Sequence, residues 1–310
     1  MSNNKEIVIT SAFRTAIGSF GGTLSAMPAS QLGSEVIKKC LEHSELKGKD
    51  VDTVFMGQVL QAGTGQNPAR QAAMGAGIPN ETISSTINQL CASGLTSVGY
   101  AYNSILLGEA NIAVAGGQEN MSSSPHAMML RNGVKMGTGS LEDTMLKDGL
   151  TCAFNNYHMG ITAENVAEKF QIRREEQDTF AASSQRKAME AIKANKFKDE
   201  IVPIKVKVKK DEITFDTDEY PKDGVTVEKL AKLRPAFKKD GTVTAGNASG
   251  INDGAAALVL MTAEEAKKRD IQPLAKIVSW AVCGVDPSIM GTGPIPASKK
   301  ALDKAGWGED

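Results

Sequence analysis

The chain has 310 residues, 41% of them hydrophobic and 23% charged, which is long enough to bury a sizeable core and carries no signature of disorder or of a fibre. Lys plus Arg total 35 against 36 Asp plus Glu, a formal net charge of −1. No bulk charge therefore draws the chain to nucleic acid or to an anionic membrane, and an anionic ligand has to be held by a local site.

The opening MSNNKEIVIT runs straight into a strand pattern without a basic region, an apolar core or a cleavage site, and no apolar run nears membrane-spanning length, so a cytoplasmic protein is expected. The first third then alternates β-rich and helical patterns. EIVITSAF, VDTVFMGQVL, TISSTINQ and NIAVAGGQE read as strands; ASQLGSEVIKKCLEHSEL, NPARQAAMGAG and SGLTSVGYAYNSILLGE read as helices between them. Nearly all-apolar strands separated by amphipathic helices predict a mostly parallel sheet covered on both faces, a layered α/β/α core.

After Gly117 the texture changes. Met and Ser crowd MSSSPHAMML, Gly recurs in NGVKMGTGS, and a charged helical stretch runs through TAENVAEKFQIRREEQDTFAASSQRKAMEAIKANKF. The alternation in IVPIKVKVKKDEITF predicts an exposed edge strand near Val206 to Val208. TVTAGNASGINDGAAALVLMT returns to a buried texture, a turn followed by a strand whose small residues allow close approach. An inserted loop domain is therefore expected at about residues 118–250 of an N-terminal domain spanning 1–270. AKIVSWAVCGVD, SIMGTGPIPA and ASKKALDKAGW then restart the strand, loop and helix order, so residues 271–310 are expected to begin a second domain.

The four cysteines, Cys40, Cys91, Cys152 and Cys283, lie too far apart for a metal or redox pair, and no metal site is expected. So few in so long a chain fit a reducing compartment. Cys40, among Val36, Ile37 and Leu41, reads as core packing. Cys91 sits in NQLCASG between a strand and a helix pattern, with Ser93 and Gly94 forming the turn. Helix amides and the positive end of the dipole favour an anionic sulfur there, and turn N–H groups can hold a thioester oxyanion. A buried, inert cysteine beside a Gly-rich turn is the competing reading of so short a motif.

NQLCASG, AVAGGQENMSSSPH, YHMG, LRPAF, TAGNASGINDGAAA and GTGPIPA, in that order, resemble the thiolase family along the whole chain, and most closely its short-chain biosynthetic members, the acetyl-CoA acetyltransferases. The resemblance implies a thiolase-like layered fold with an inserted loop domain and a duplicated second half that is only begun here. It implies condensation of two acetyl-CoA molecules to acetoacetyl-CoA and CoA, reversibly, through an S-acetyl-cysteine at Cys91. Acetyl-CoA, acetoacetyl-CoA and CoA are then partners as substrates and products, with no separate cofactor, and the assembly is a homodimer or homotetramer. A coenzyme A groove is implied between the insertion and the sheet. His158 and Met159 of YHMG would line the acyl pocket, Phe237 of LRPAF an apolar wall, Ser249 of NASG the pantetheine arm, and Lys222 the nucleotide end. From the residues alone, His158 is as readily a structural histidine, and Lys222 beside Gly224 is as readily a solvated surface lysine as a phosphate contact.

The family's Gly-His-Pro and Cys-x-Gly-Gly motifs, which supply the proton-transfer histidine and second cysteine, and its Asn-Glu-Ala-Phe motif do not occur in these 310 residues. A truncated chain with impaired activity is therefore the expectation. The alternatives are an inactive CoA-binding or subunit-interaction protein, or another condensing enzyme of the same fold, from which YHMG and TAGNASG point away.

Overall fold

The computed structural model describes residues 5–208 and 210–309. The expected elements of the first third form in order: β1 (Ile7–Thr15), α1 (Ala29–His43), β2 (Thr53–Gly57), α2 (Pro68–Gly75), β3 (Ile83–Ile87), α3 (Ser93–Leu107) and β4 (Ile112–Asn120). Local chemistry sets several boundaries. Asn67 caps α2 by accepting the Arg70 N–H, and Pro68 fills the first helical position, where no donor is needed. The charged stretch gives two helices, α4 (Met159–Lys169) and α5 (Arg174–Lys193), followed by a hairpin of β5 (Ile204–Val208) and β6 (Asp211–Phe215). Then come β7 (Asn252–Thr262), α6 (Ala263–Lys268), β8 (Ala275–Lys276) and α7 (Pro294–Ala305).

The chain divides into two compact units, one of residues 1–149, 198–220 and 251–277, the other of 150–197, 221–250 and 278–310. In the first unit the main strands run in the order β8-β1-β7-β4-β2-β3. The prediction of a mostly parallel sheet holds for only half of it. β2 pairs in parallel with β3 and with β4, whereas β7 lies between β1 and β4 and is antiparallel to both. Crossover helices force parallel pairing between successive strands, but β7 returns after a long excursion and enters from the other end, a freedom that local periodicity does not reveal.

Helices cover both faces of this sheet. On β4, Ala113 and Ala115 join Ile7, Leu260, and Ala101 and Ile105 of α3 in one buried cluster. Gln118, of the opposite parity, turns toward α1, its Oε1 filling the space that a Cβ on Gly33 would need. Cys40 is core, as expected: it is fully buried, its thiol donates to the Ala257 carbonyl at 3.2 Å, and burial pushes it up to about 11.

The strand near Val206 is an edge strand, as expected: it is one arm of a two-stranded hairpin, with Lys205, Lys207 and Val208 exposed and Ile204 and Val206 buried. Two other expectations are corrected. The run AKIVSWAVCGVD is a strand only at Ala275 and Lys276, against Ile9 and Val8, with the Ile277 N–H reaching the Ile7 carbonyl at 3.0 Å; an apolar run becomes a ladder only where a neighbour meets it. In the second unit, GTGPIPA is no mere loop, since α7 already starts at Pro294 with proline in its first turn.

Candidate functional site

In the first unit the parallel strands β3, β2 and β4 end side by side, with Ile87, Gly57 and Gly117 in register. Open α/β sheets place their sites at such carboxyl ends. The chain leaving β3 makes a tight turn into α3, and Cys91 stands on that turn, exposed. Leu90, just before it, has φ +51°, the left-handed region that a branched side chain enters only when its surroundings hold it there.

Backbone and side chains together hold the turn. Ala92 N–H donates to the Gln89 carbonyl at 3.1 Å and Ser93 N–H to the Leu90 carbonyl at 2.9 Å. Ser93, 4% exposed, adds two more bonds: its Oγ accepts from Gln89 N–H at 2.8 Å and donates to the Leu90 carbonyl at 2.6 Å. Leu90 N–H donates to Asn88 Oδ1 at 3.1 Å. The first turn of α3 is pressed onto the strand ends, so that a Cβ on Gly57 would lie 2.5 Å from the Ser93 carbonyl carbon and 2.6 Å from Gly94 N. Only glycine permits that approach.

Two residues along from the register row, Glu119 accepts from Val59 N–H at 2.8 Å and from Leu60 N–H at 3.2 Å. Burial pushes its carboxyl up to about 7 against the pull of those two amides, and the charge of Asp253 adds to the rise.

In the second unit, His158 caps α4 in extended conformation, its Nδ1 accepting from Gly160 N–H at 3.0 Å. Its ring stacks on Phe237, with centroids 4.7 Å apart and planes 15° off parallel. Burial lowers the histidine's affinity for a proton. With Nδ1 committed as acceptor, the neutral ring carries its hydrogen on Nε2, leaving one donor free. Met159 follows as the first residue of α4 and is half-buried.

Ser249 is exposed at the end of a loop with two buried acidic anchors. Glu164 of α4 accepts from Thr242 N–H at 2.9 Å and Val243 N–H at 2.8 Å. Asp178 of α5 accepts from Asn247 Nδ2 at 2.9 Å and is paired with Arg174 at 2.8 Å. Lys222 is exposed, with its N–H on Gln185 Oε1 at 2.9 Å, and it lines a cavity of about 570 Å³ together with Arg186, Lys193 and Thr226. Lys193 is paired with Asp223 at 2.7 Å and Arg186 with Glu190 at 2.9 Å, so Lys222 is the cation there with no ion pair shown.

The structure thus brings His158 and Phe237 into contact within one unit, places Lys222 in a separate cavity of that unit, and puts Cys91 on the strand-to-helix turn of the other unit. Among the described residues no cluster of three or more His, Cys, Asp or Glu is arranged to hold a metal, and no helix is long and apolar enough to cross a membrane. Sequence reasoning missed the supporting residues Asn88, Glu119, Glu164 and Asp178. Acidic residues in apolar runs, such as Glu119 in IAVAGGQEN, were the available signal.

A family model described as thiolase, N-terminal domain, matches residues 7–264, and one described as thiolase, C-terminal domain, matches 271–310. The chain is 60% identical over 305 residues to an acetyl-CoA acetyltransferase of Rhizobium meliloti (strain 1021), covering 98% of this chain and 78% of that protein. It is 59% identical over 301 residues to one of Shinella zoogloeoides, covering 97% of this chain and 76% of the relative. The crystal structure of the Bacillus anthracis acetyl-CoA acetyltransferase superposes with a TM-score of 0.96 at 44% identity, covering 98% of this chain and 77% of that one. The expectation of a second half only begun, in a truncated chain, gains no support from these matches.

Proposed function

The chain belongs to the thiolase family, and on that premise we propose that it is an acetyl-CoA C-acetyltransferase, an acyltransferase that condenses two acetyl-CoA molecules to acetoacetyl-CoA and CoA and also runs the reverse thiolysis. One observation carries the reading. An exposed thiol stands on a braced turn at the amino end of a 15-residue helix, above the carboxyl ends of three parallel strands. In the first half-reaction the Cys91 sulfur attacks the thioester carbonyl, an S-acetyl bond forms, the C–S bond to CoA breaks, and CoA leaves as a thiol. The Gln89, Leu90, Ala92 and Ser93 amides are committed within the turn, so the Cys91 N–H is the turn amide suited to the oxyanion that develops. In the second half-reaction the acetyl group passes to the deprotonated methyl carbon of another acetyl-CoA. No residue of this chain is proposed as the proton acceptor.

His158 and Met159 are proposed to line the acyl pocket. The free Nε2–H of a neutral histidine suits it to hold a carbonyl oxygen rather than to take a proton. Phe237 is proposed as the apolar wall, Ser249 as a pantetheine contact, and Lys222 as the contact at the nucleotide end, supported by the cavity it lines. CoA thioesters are substrates in this reading, and no separate cofactor or metal enters it. An N-terminal domain of residues 1–270 with an inserted loop domain at about 118–250, a C-terminal domain from 271, a homodimer or homotetramer and a cytoplasmic location complete the proposal.

The test is exposure to acetyl-CoA followed by peptide mass spectrometry. An acetyl group on Cys91, absent from Cys91→Ala and discharged by added CoA, is expected. CoA binding by calorimetry with no acetylated Cys91 overturns the enzyme reading in favour of a binding protein.

A further inference from the structure

The turn that carries Cys91 is one of two loops leaving neighbouring parallel strands. The other, after β2, holds Gln58, Val59 and Leu60. The loops are joined first by backbone, Gln58 N–H donating to the Ile87 carbonyl at 3.0 Å. They are joined again by Asn88, whose Nδ2 donates to the Val59 carbonyl at 3.4 Å while its Oδ1 accepts from Leu90 N–H at 3.1 Å. The orientation of the Asn88 amide is fixed by that pair, because only the oxygen can take the Leu90 hydrogen.

Behind the second loop stands Glu119, one acidic side chain whose two oxygens each take one of two consecutive amides, Val59 N–H and Leu60 N–H. A carboxyl group suits this place because it offers two oxygens, one for each amide. A glutamine offers one oxygen and turns its NH₂ against the second N–H. The bonds run without a gap from Glu119 through Val59 and Asn88 to Leu90, the left-handed residue that precedes Cys91. The one long link, at the Val59 carbonyl, makes the path testable.

We propose that Glu119 is a positioning residue for the Cys91 turn, setting the place of the sulfur through the Val59–Leu60 amides and Asn88. The proposal rests on the reading of Cys91 as the acyl-carrying nucleophile. Glu119 touches neither Cys91 nor substrate in this account. It acts on the acetylation rate and not on the hold on CoA, whose proposed contacts are His158, Met159, Phe237, Ser249 and Lys222.

The experiment measures the rate of Cys91 acetylation against acetyl-CoA concentration by quenched mass spectrometry on the intact 310-residue protein. It compares wild type, Glu119→Gln, Asn88→Asp and the double variant, each checked for native circular dichroism. Misplacing a reacting atom by about 1 Å costs up to about 100-fold, so each single variant is expected to lose about 10- to 100-fold in the saturating rate with half-saturation unchanged. The double variant is expected to be no slower than the worse single. Asn88→Asp keeps an acceptor for Leu90 N–H and replaces the donor to Val59 with an oxygen that the Val59 carbonyl repels, so it breaks the path even if Glu119→Gln does not fold. Wild-type rates in Asn88→Asp, losses that multiply in the double variant, or an effect confined to half-saturation overturn the proposal. An unacetylated wild type instead overturns the function assigned to Cys91.

Discussion

Gly160 and Phe237 are fitted to each other: a Cβ on Gly160 would lie 2.3 Å from the Phe237 ring, so the ring occupies the space that a missing side chain leaves. The same ring stacks on His158, which takes the Gly160 N–H on its Nδ1. Three residues from two distant stretches therefore make one small aromatic corner. Gly160→Ala is expected to push Phe237 away, unstack His158 and destabilise the protein by about 1–3 kcal/mol. Thermal unfolding reads the loss. The acetyl-CoA concentration giving half-maximal acetylation of Cys91 should rise several-fold, and an unchanged value would separate this corner from the acyl pocket.

Gly57 makes the equivalent fit in the first unit. A methyl group there meets the Ser93 carbonyl carbon and Gly94 N, which are backbone and cannot rotate aside. Gly57→Ala should therefore shift the first turn of α3, with a cost of about 1–3 kcal/mol in the urea unfolding midpoint. The acetylation rate should fall along with it.

Glu164 is 4% exposed and takes the amides of Thr242 and Val243. In Glu164→Ala those donors lose a charged acceptor in a buried place, at an expected cost of about 2–4 kcal/mol by thermal unfolding. The loop bearing Ser249 should exchange its amide hydrogens faster. Asp178→Asn, which keeps an oxygen for Asn247 but loses the charge facing Arg174, should cost less.

Glu119 gives the stability a pH dependence. Its carboxyl, raised from 4.5 to about 7 in the folded protein mainly by burial and further by Asp253, keeps a proton that the unfolded chain releases at the ordinary value. The folded state binds more protons across that window. Its stabilising effect is complete below the ordinary carboxylate range and is lost as the pH rises through about 7. Urea midpoints at about pH 5 and about pH 8 should show that decline in wild type. In Glu119→Gln the Glu119 part of the slope should be gone.

Much of the fold was legible. Strand and helix patterns from Ile7 to Asn120 match the elements formed there, because each helix buries one face that the spacing of its apolar residues records, while the central strands, covered on both faces, read as near-continuous apolar runs. The turn at Cys91 was legible too, since NQLCASG joins a strand pattern to a helix pattern through small residues. The run that forms the short β8 was misjudged, because pairing depends on a partner that the segment's own alternation does not name.

The partners of the supporting residues were not legible, even where an acid in an apolar run, as at Glu119, marked the position. Glu119 and Val59 are 60 positions apart, as are Gln118 and Gln58, which share a bond at 2.9 Å. By itself the sequence determined the near-neutral charge balance, the succession of elements, the strand-to-helix turn under Cys91 and the order of motifs by which the family is known. Tertiary structure alone decided that β7 would lie antiparallel in the middle of the sheet, that Gly57 would bring a strand end against α3, and which buried acid would face which amide. The reason is physical: periodicity is a property of one segment, whereas a hydrogen bond or close approach between distant segments exists only once the chain has closed on itself.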